Sequence, residues 1–500
     1  MSRNSCLGQS AVPRNANFQE APWHRNPVPA VIDAARPDSS WDYGSLYRLA
    51  RERSGRLLAQ GLQPADLVAV GERPGADLIL MQHALARAGA ALLPLRSEPG
   101  PAVASSTGAD GAASLIQMTG AEWIWDGAGA NRLVPTGRRV RESDRTGGPP
   151  WPSPLALVVE TSGSSGARRA AMLTVENLST SAALVNRRLG LGPGDIWLCC
   201  LPLRHIGGLS ISYRCALAGA AVLLREGFQA EAVAVDLERH GVTHVSLVPP
   251  MLARLLDLGR PPPPSLRVLL VGGQSLSAPL AHRALESGWP LHVTYGMTET
   301  ASQVATSDRL TEPPAPGAVG RPFAPMELDC PVCPGEPAAL RLRGPLVMAG
   351  YASPLRVPGV GLEDGWLAAS DLACLEPGGG LRVLGRADEL LVTGGAKVHP
   401  ARVEAALISA PGVRDLAVVG VEDPVWGERL VALYSGEAAP ADLDTWCRAR
   451  LSGPERPRTF IPLGELPTLS SGKHDRHRLR ELARGAGPSA PRVSAGADRK

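Results

Sequence analysis

The sequence predicts an α/β protein: a large N-terminal domain of parallel-sheet subdomains, a small barrel-like section behind it, and a small α+β C-terminal domain. Three observations point there. Short apolar runs alternate with helical segments through the first part of the chain, and after about Pro313 the pattern changes to short strands punctuated by Gly and Pro. A polar, Gly-rich connection, GRADELLVTGGAKVHP, then sets off a compact unit. Strands that alternate with helices belong to parallel sheets covered on both faces.

The elements follow in order. The first 25 or so residues are polar and contain Pro, Asn and Arg, and the segment 1–37 is expected to be loosely ordered. Leu46, Leu49, Leu57 and Leu58 return at roughly helical spacing behind Ser39 or Ser40 as cap, and residues 67–70 read as a buried strand. An apolar helix covers 78–91, and a Gly/Ala/Ser/Asp-rich stretch from about 98 to 150 gives a weak signal. Strands are expected at 155–159, 196–201, 220–224, 245–248 and 268–271, with Thr174 capping a helix after the first. Past Pro313 come strands at 339–343 and 381–383. Pro400 opens a helix with Val403, Ala406 and Leu407 on one face, ahead of an apolar run at 416–421 and a strand at 430–434. Residues 483–500 read as a disordered tail.

A chain of 500 residues has room for several folding units, and 44% hydrophobic residues supply ample core. Lys+Arg 51 against Asp+Glu 48 is too balanced for a nucleic-acid partner or an anionic membrane surface. No uncharged apolar run reaches the roughly 18 residues that span a bilayer, so a cytoplasmic chain with no membrane span is expected. The eight cysteines are too few and too uneven for a disulfide framework, and Cys330 and Cys333 lack a second ligand pair for zinc; free thiols are the expectation. Lysine is scarce: only Lys397, Lys473 and Lys500 stand among the 51 basic residues.

The chemistry concentrates in a few segments. Thr161-Ser162-Gly163-Ser164-Ser165-Gly166 follows a strand and precedes a capped helix, and a loop of hydroxyls and glycines offers donors to phosphate oxygens. Taken alone such a turn is more often a plain linker, and it is not a Walker A loop. Together with Tyr295-Gly296-Met297-Thr298-Glu299, the segment 365–371 (GWLAASD), Gly385-Arg386 and the segment 470–473 (SSGK), in this order, it resembles the adenylate-forming acyl-CoA synthetase superfamily over roughly residues 38–482.

That resemblance implies a two-step reaction. A carboxylate attacks the α-phosphate of ATP to give an acyl-adenylate and pyrophosphate, and a thiol, usually that of coenzyme A, then displaces AMP. It implies an N-terminal adenylation domain at 38–387 and a mobile C-terminal domain at 388–482, hinged near Asp388. Glu299 would hold Mg²⁺ against the phosphates, with Thr298 donating to them. Tyr295 would stack on adenine beside Gly296, or serve as a core aromatic. Asp371 and Arg386 would take the ribose hydroxyls, although each alone reads as a surface ion-pair member. Lys473 falls at the family's catalytic lysine, where a compact ammonium neutralises charge between carboxylate and α-phosphate. Gly394 and Gly395 would shape the tunnel for coenzyme A.

Two departures stand out. Arg169 replaces the lysine that usually closes the phosphate loop, and Lys397 stands where relatives carry other residues. The segments 201–211 and 294–303 are similar to the branch that activates o-succinylbenzoate, an aromatic keto diacid. The resemblance puts His205, Arg204, Gly272 and Gly273 at the acyl pocket; by residue type alone His205 is equally a structural histidine. A general aryl- or fatty-acyl-CoA ligase, or a carrier-protein-directed adenylation module, shares the nucleotide motifs. The partners expected are therefore ATP, coenzyme A and a carboxylic acid; a homo-oligomer is compatible with the sequence.

Overall fold

The computed structural model describes residues 28–36, 38, 40–71, 75–96, 111–127, 131–137, 153–161, 168–334, 338–469 and 472–485. Two large sheets form the body. In the first, the strands Leu155–Thr161, Ala91–Leu95, Leu67–Gly71 and Trp123–Asp126 run parallel, with Arg169–Thr174 and then Gly350–Tyr351 added antiparallel at one edge. In the second, Leu291–Met297, Val268–Val271, His244–Leu247, Ile196–Cys199, Ala221–Leu224 and Pro29–Asp33 are parallel, and Ser302–Thr306 pairs antiparallel beyond the first of these. Apolar residues from one face of each sheet and from the helices between them merge into a shared core, and two further clusters cover the opposite faces.

An antiparallel sheet of Glu327–Asp329, Ala338–Arg343, Leu367–Leu375 and Leu381–Arg386 packs against that core. The C-terminal unit is a long hairpin, Val413–Asp423 with Gly427–Gly436, flanked by Leu391–Thr393, Ala396–Val398 and Thr459–Pro462 and covered by helices including Pro400–Leu407 and Arg476–Gly485. Its apolar residues form two clusters that contain no residue of the body. Among the described residues no helix is long and apolar enough to cross a membrane.

Several expectations change. The segment thought loose contains the strand Pro29–Asp33, paired in register with Ala221–Leu224. The first helix, Tyr43–Ala59, is capped by Asp42, whose carboxylate accepts from the Ser45 amide at 2.7 Å; Ser40 instead accepts from the Asp33 amide, and Ser39 lies outside the described residues. Gly89, at φ +71°, stops the second helix at Ala88 and frees Ala91–Leu95 to form a strand. The weak stretch holds a helix, Gly111–Thr119, and the strands Trp123–Asp126 and Arg132–Pro135. The last helix reaches Gly485 and buries Ala483, past the expected start of the tail.

Cys333 is not a free thiol. It is disulfide-bonded to Cys374, with Cα atoms 5.6 Å apart, while Cys330 stays reduced. The cause is a long-range strand contact: the Cys333 amide donates to Leu375 O and the Leu375 amide to Pro331 O, both at 2.8 Å, which carries Cys333 alongside the strand that bears Cys374.

Candidate active site

The site lies where the second sheet, the antiparallel sheet and the C-terminal unit meet, at the carboxyl ends of parallel strands where open α/β sheets bind ligands. Strand Leu291–Met297 ends in a tight turn, Thr298–Thr300, that presents Glu299. The turn needs unusual backbone. Ala301 and Ser302 have φ of +51° and +103°, and a Cβ on Gly296 would stand 1.7 Å from the Ser302 carbonyl oxygen, so only glycine fits there. Side chains from two helices brace the strain: Ser181 donates to the Ala301 carbonyl at 2.8 Å and Arg214 to the Ser302 hydroxyl at 2.9 Å.

Arg214 escaped the sequence reading. It is a fully buried cation, its Nε without a partner and its charge faced by the Trp197 ring rather than by a carboxylate; burial lowers its pKa to about 10. The available signal was a lone Arg inside an otherwise apolar helix, Ile206–Ala218.

Neighbouring strands add the other groups. Tyr295 donates its phenol to Asp371 Oδ2 at 2.6 Å, and burial, then the Asp371 charge, holds that phenol well above its ordinary pKa. Its ring packs on the main core, as the core-aromatic reading expects. Asp371 faces Arg386 across the strand pair Leu367–Leu375 and Leu381–Arg386. Arg386 also grips Asp388 through Nε and Nη2, each at 2.8 Å, in the turn Ala387–Glu389 that leads out of the body. Tyr351 donates to Glu299 Oε1 at 2.9 Å, and the Arg169 guanidinium lies 4.6 Å from the centre of the same ring. Thr161 and Arg169 are partners across a strand pair and bracket the Ser/Gly loop; Ser162, Gly163, Ser164, Ser165 and Gly166 lie outside the described residues.

The fourth wall comes from the C-terminal unit. Lys473 enters on a turn closed by the Leu469 amide donating to the Lys473 carbonyl at 2.7 Å. Its Cε would be 3.3 Å from a Cβ at Gly273, and a Cβ on Gly472 would be 2.6 Å from Val248 Cγ2, so both glycines make its path. The turn is tied down by His474 to Asp415 at 3.0 Å and by Arg476 to Glu404 at 3.1 Å. Burial and then Arg386 lower the Lys473 pKa, while the charges of Asp371 and Glu299 oppose them.

His205 stands at the N-cap position of the helix Ile206–Ala218 without a side-chain capping bond. Burial, then Arg204, Lys473 and Arg96, depress its pKa to about 4, so the imidazole is neutral amid three cations. At Gly272 a Cβ would strike the Thr294 methyl at 2.7 Å. Gly394 and Gly395 stand apart: they turn the hairpin Leu391–Thr393 and Ala396–Val398, and Gly394 packs on Trp426 rather than on any cleft residue named above. A cavity of about 210 Å³ opens there, lined by Trp426, Arg429, Arg456 and Arg458 among others.

Glu299 suits a magnesium ion carried by a triphosphate. Mg²⁺ takes one or two protein carboxylates and fills its remaining positions with phosphate and water. Glu299 supplies one such hard ligand, and among the described residues only its Oε1 accepts a hydrogen bond.

The AMP-binding enzyme family matches residues 18–352, and the AMP-binding enzyme C-terminal domain matches residues 402–473. The chain belongs to the AMP-binding enzyme family, and its class is that of AMP-forming acyl-CoA synthetases. A 2-succinylbenzoate–CoA ligase of Bacillus cereus (strain ATCC 10987 / NRS 248) is 35% identical over 334 residues, covering 65% of this chain and 69% of the relative. Another, from Bacillus cereus (strain AH820), is 30% identical over 442 residues, 84% of this chain and 89% of the relative. Among solved structures, o-succinylbenzoate CoA synthetase from Bacillus subtilis in complex with the acyl-adenylate intermediate aligns with a TM-score of 0.77 at 26% identity, over 93% of this chain and 98% of that one. ATP-bound MatB from Rhodopseudomonas palustris has the same TM-score at 22% identity, over 94% and 99%, and shares the fold.

Proposed function

We propose that this chain is an ATP-dependent o-succinylbenzoate–CoA ligase that works through an acyl-adenylate. The observation that carries the choice of acid is the cationic wall on the acyl side: His205 is held neutral while Arg204, Lys473 and Arg96 all bear on it. One cation is needed to neutralise the reacting carboxylate and α-phosphate. A positively charged wall favours an acid with a second carboxylate over an uncharged tail, because a charge-assisted hydrogen bond is strong where water is scarce. The relatives that are 2-succinylbenzoate–CoA ligases agree with such a diacid.

In the first step the acid's carboxylate attacks the α-phosphate and pyrophosphate leaves. Lys473 meets the charge that develops between the two groups, Thr298 and the Ser/Gly loop donate to phosphate oxygens, and Asp371 with Arg386 holds the ribose. Mg²⁺, when bound at Glu299 with the triphosphate, withdraws charge from the phosphate oxygens. In the second step coenzyme A, whose path would pass Gly394 and Gly395 after the C-terminal unit turns about Asp388, attacks the acyl carbon and AMP leaves.

The test is pyrophosphate release with a panel of acids. o-Succinylbenzoate is expected to exceed benzoate and medium-chain acids in kcat/KM, and Arg204→Ala to lower kcat/KM for the diacid about tenfold while leaving benzoate unchanged. Medium-chain acids outperforming the diacid would make this a general acyl-CoA ligase.

A further inference from the structure

Glu299 would be a poor metal ligand if its side chain were loose or its charge cancelled. An unrestrained Glu loses up to about 1.5–2 kcal/mol of rotamer freedom on being fixed. A salt bridge would fix it and also neutralise it. The structure uses a neutral donor instead: the Tyr351 phenol bonds Oε1 at 2.9 Å, and the nearby guanidinium of Arg169 lies against the Tyr351 ring, 4.6 Å from its centre. Among the described residues no salt bridge to Glu299 occurs.

Tyr351 is itself held independently of that hydroxyl. It pairs with Ala171 on an edge strand, its amide donates to Val360 O at 2.8 Å, and Gly361 is bare against its ring, where a Cβ would come within 2.5 Å of Cδ2. We propose that Tyr351 is a positioning residue for Glu299, pinning Oε1 so that the second carboxylate oxygen, with its charge intact, is kept for Mg²⁺ on the triphosphate. The same arrangement gives Arg169 a reason to be Arg: a planar guanidinium stacks on the ring, which an ammonium does less well.

The inference rests on the nucleotide half of the reading above and is independent of the acid. Tyr351→Phe keeps the ring, the Arg169 contact and the packing on Gly361, and removes only the hydroxyl. Calorimetric titration with ATP, acid absent, is expected to show MgATP binding weakened about tenfold and ATP binding in EDTA unchanged, as for loss of one hydrogen bond to a charged group. The Mg²⁺ concentration for half-maximal pyrophosphate release should rise in parallel while KM for the acid holds. In a Glu299→Ala background the same substitution should change nothing further. Unaltered MgATP affinity in Tyr351→Phe, equal weakening with and without Mg²⁺, or an undiminished effect without Glu299 would each overturn the proposal. A wild-type chain that binds no MgATP would sink the nucleotide reading itself, whereas failure to turn over o-succinylbenzoate would touch only the choice of acid.

Discussion

The body and the C-terminal unit build their shares of the cleft by different means. In the body, Glu299 and Asp371 sit on strands and turns whose backbone is fixed by buried contacts: Met348 donates to the Glu299 carbonyl, Ser181 to Ala301, and Gly296 lies flush against Ser302. In the C-terminal unit, Lys473 rides on a turn whose neighbours His474 and Arg476 pair, among the described residues, with Asp415, Glu404 and Glu389 of that unit, and the unit buries its apolar residues in clusters of its own. Contact with the body near the lysine runs through Val248, Met251, Gly273 and one exposed ion pair, Arg254 with Glu465. The carboxylate side of the cleft is a fixture, and the ammonium is an inserted part.

The largest effect expected from that contrast is at the inserted part. Lys473→Gln should slow acyl-adenylate formation by about 10²–10³-fold, the usual cost of losing one preorganised charge donor, and leave thioester formation from supplied acyl-adenylate near wild type. Single-turnover measurements of the two half-reactions separate these; equal losses in both would place the lysine in the fixture instead.

Gly472→Ala comes next. A methyl at that position meets Val248 at 2.6 Å and a φ of +78° disfavours it, so closure should weaken by about 1–2 kcal/mol, roughly a tenfold loss of adenylation. Adding Val248→Ala should recover part of the loss, and no recovery would mean that strain alone accounts for it.

The smallest effect is on stability against acid, and it should fall on the body. His205 and His244 have pKa values depressed to about 4, burial being the chief cause, and His292 is lowered for the same reason. Between about 4 and the ordinary 6.5 the unfolded chain binds more protons than the folded one, so stability is complete above that window and declines as pH falls through it. Calorimetric melting at about pH 5 should therefore begin lower than at neutral pH, and His244→Phe, in a ring that stacks on Trp197, should flatten the dependence.

What was legible in the chain was what lies close together in it. The strand Val268–Val271 and the helix start at Pro400 follow from local pattern, and the Tyr295–Glu299 segment carries its own turn chemistry. Tyr351 with Glu299 is a pair 52 residues apart and Cys333 with Cys374 one of 41, and in neither case does local spacing reveal the partner. The strands Ala91–Leu95 and Arg169–Thr174 were hidden for another reason: each directly adjoins an element with a stronger signal, and only pairing in the sheet separates them.

The shortage of lysine has a practical corollary. Lys397 is exposed on the hairpin Ala396–Val398 and Lys473 is half-buried in the cleft, and with Lys500 these are the only side-chain amines in the protein. An amine-selective acylating reagent therefore finds almost nothing else to modify, and the ratio of label at 473 to label at 397, read by mass spectrometry, gives a native footprint of how open the surroundings of Lys473 are.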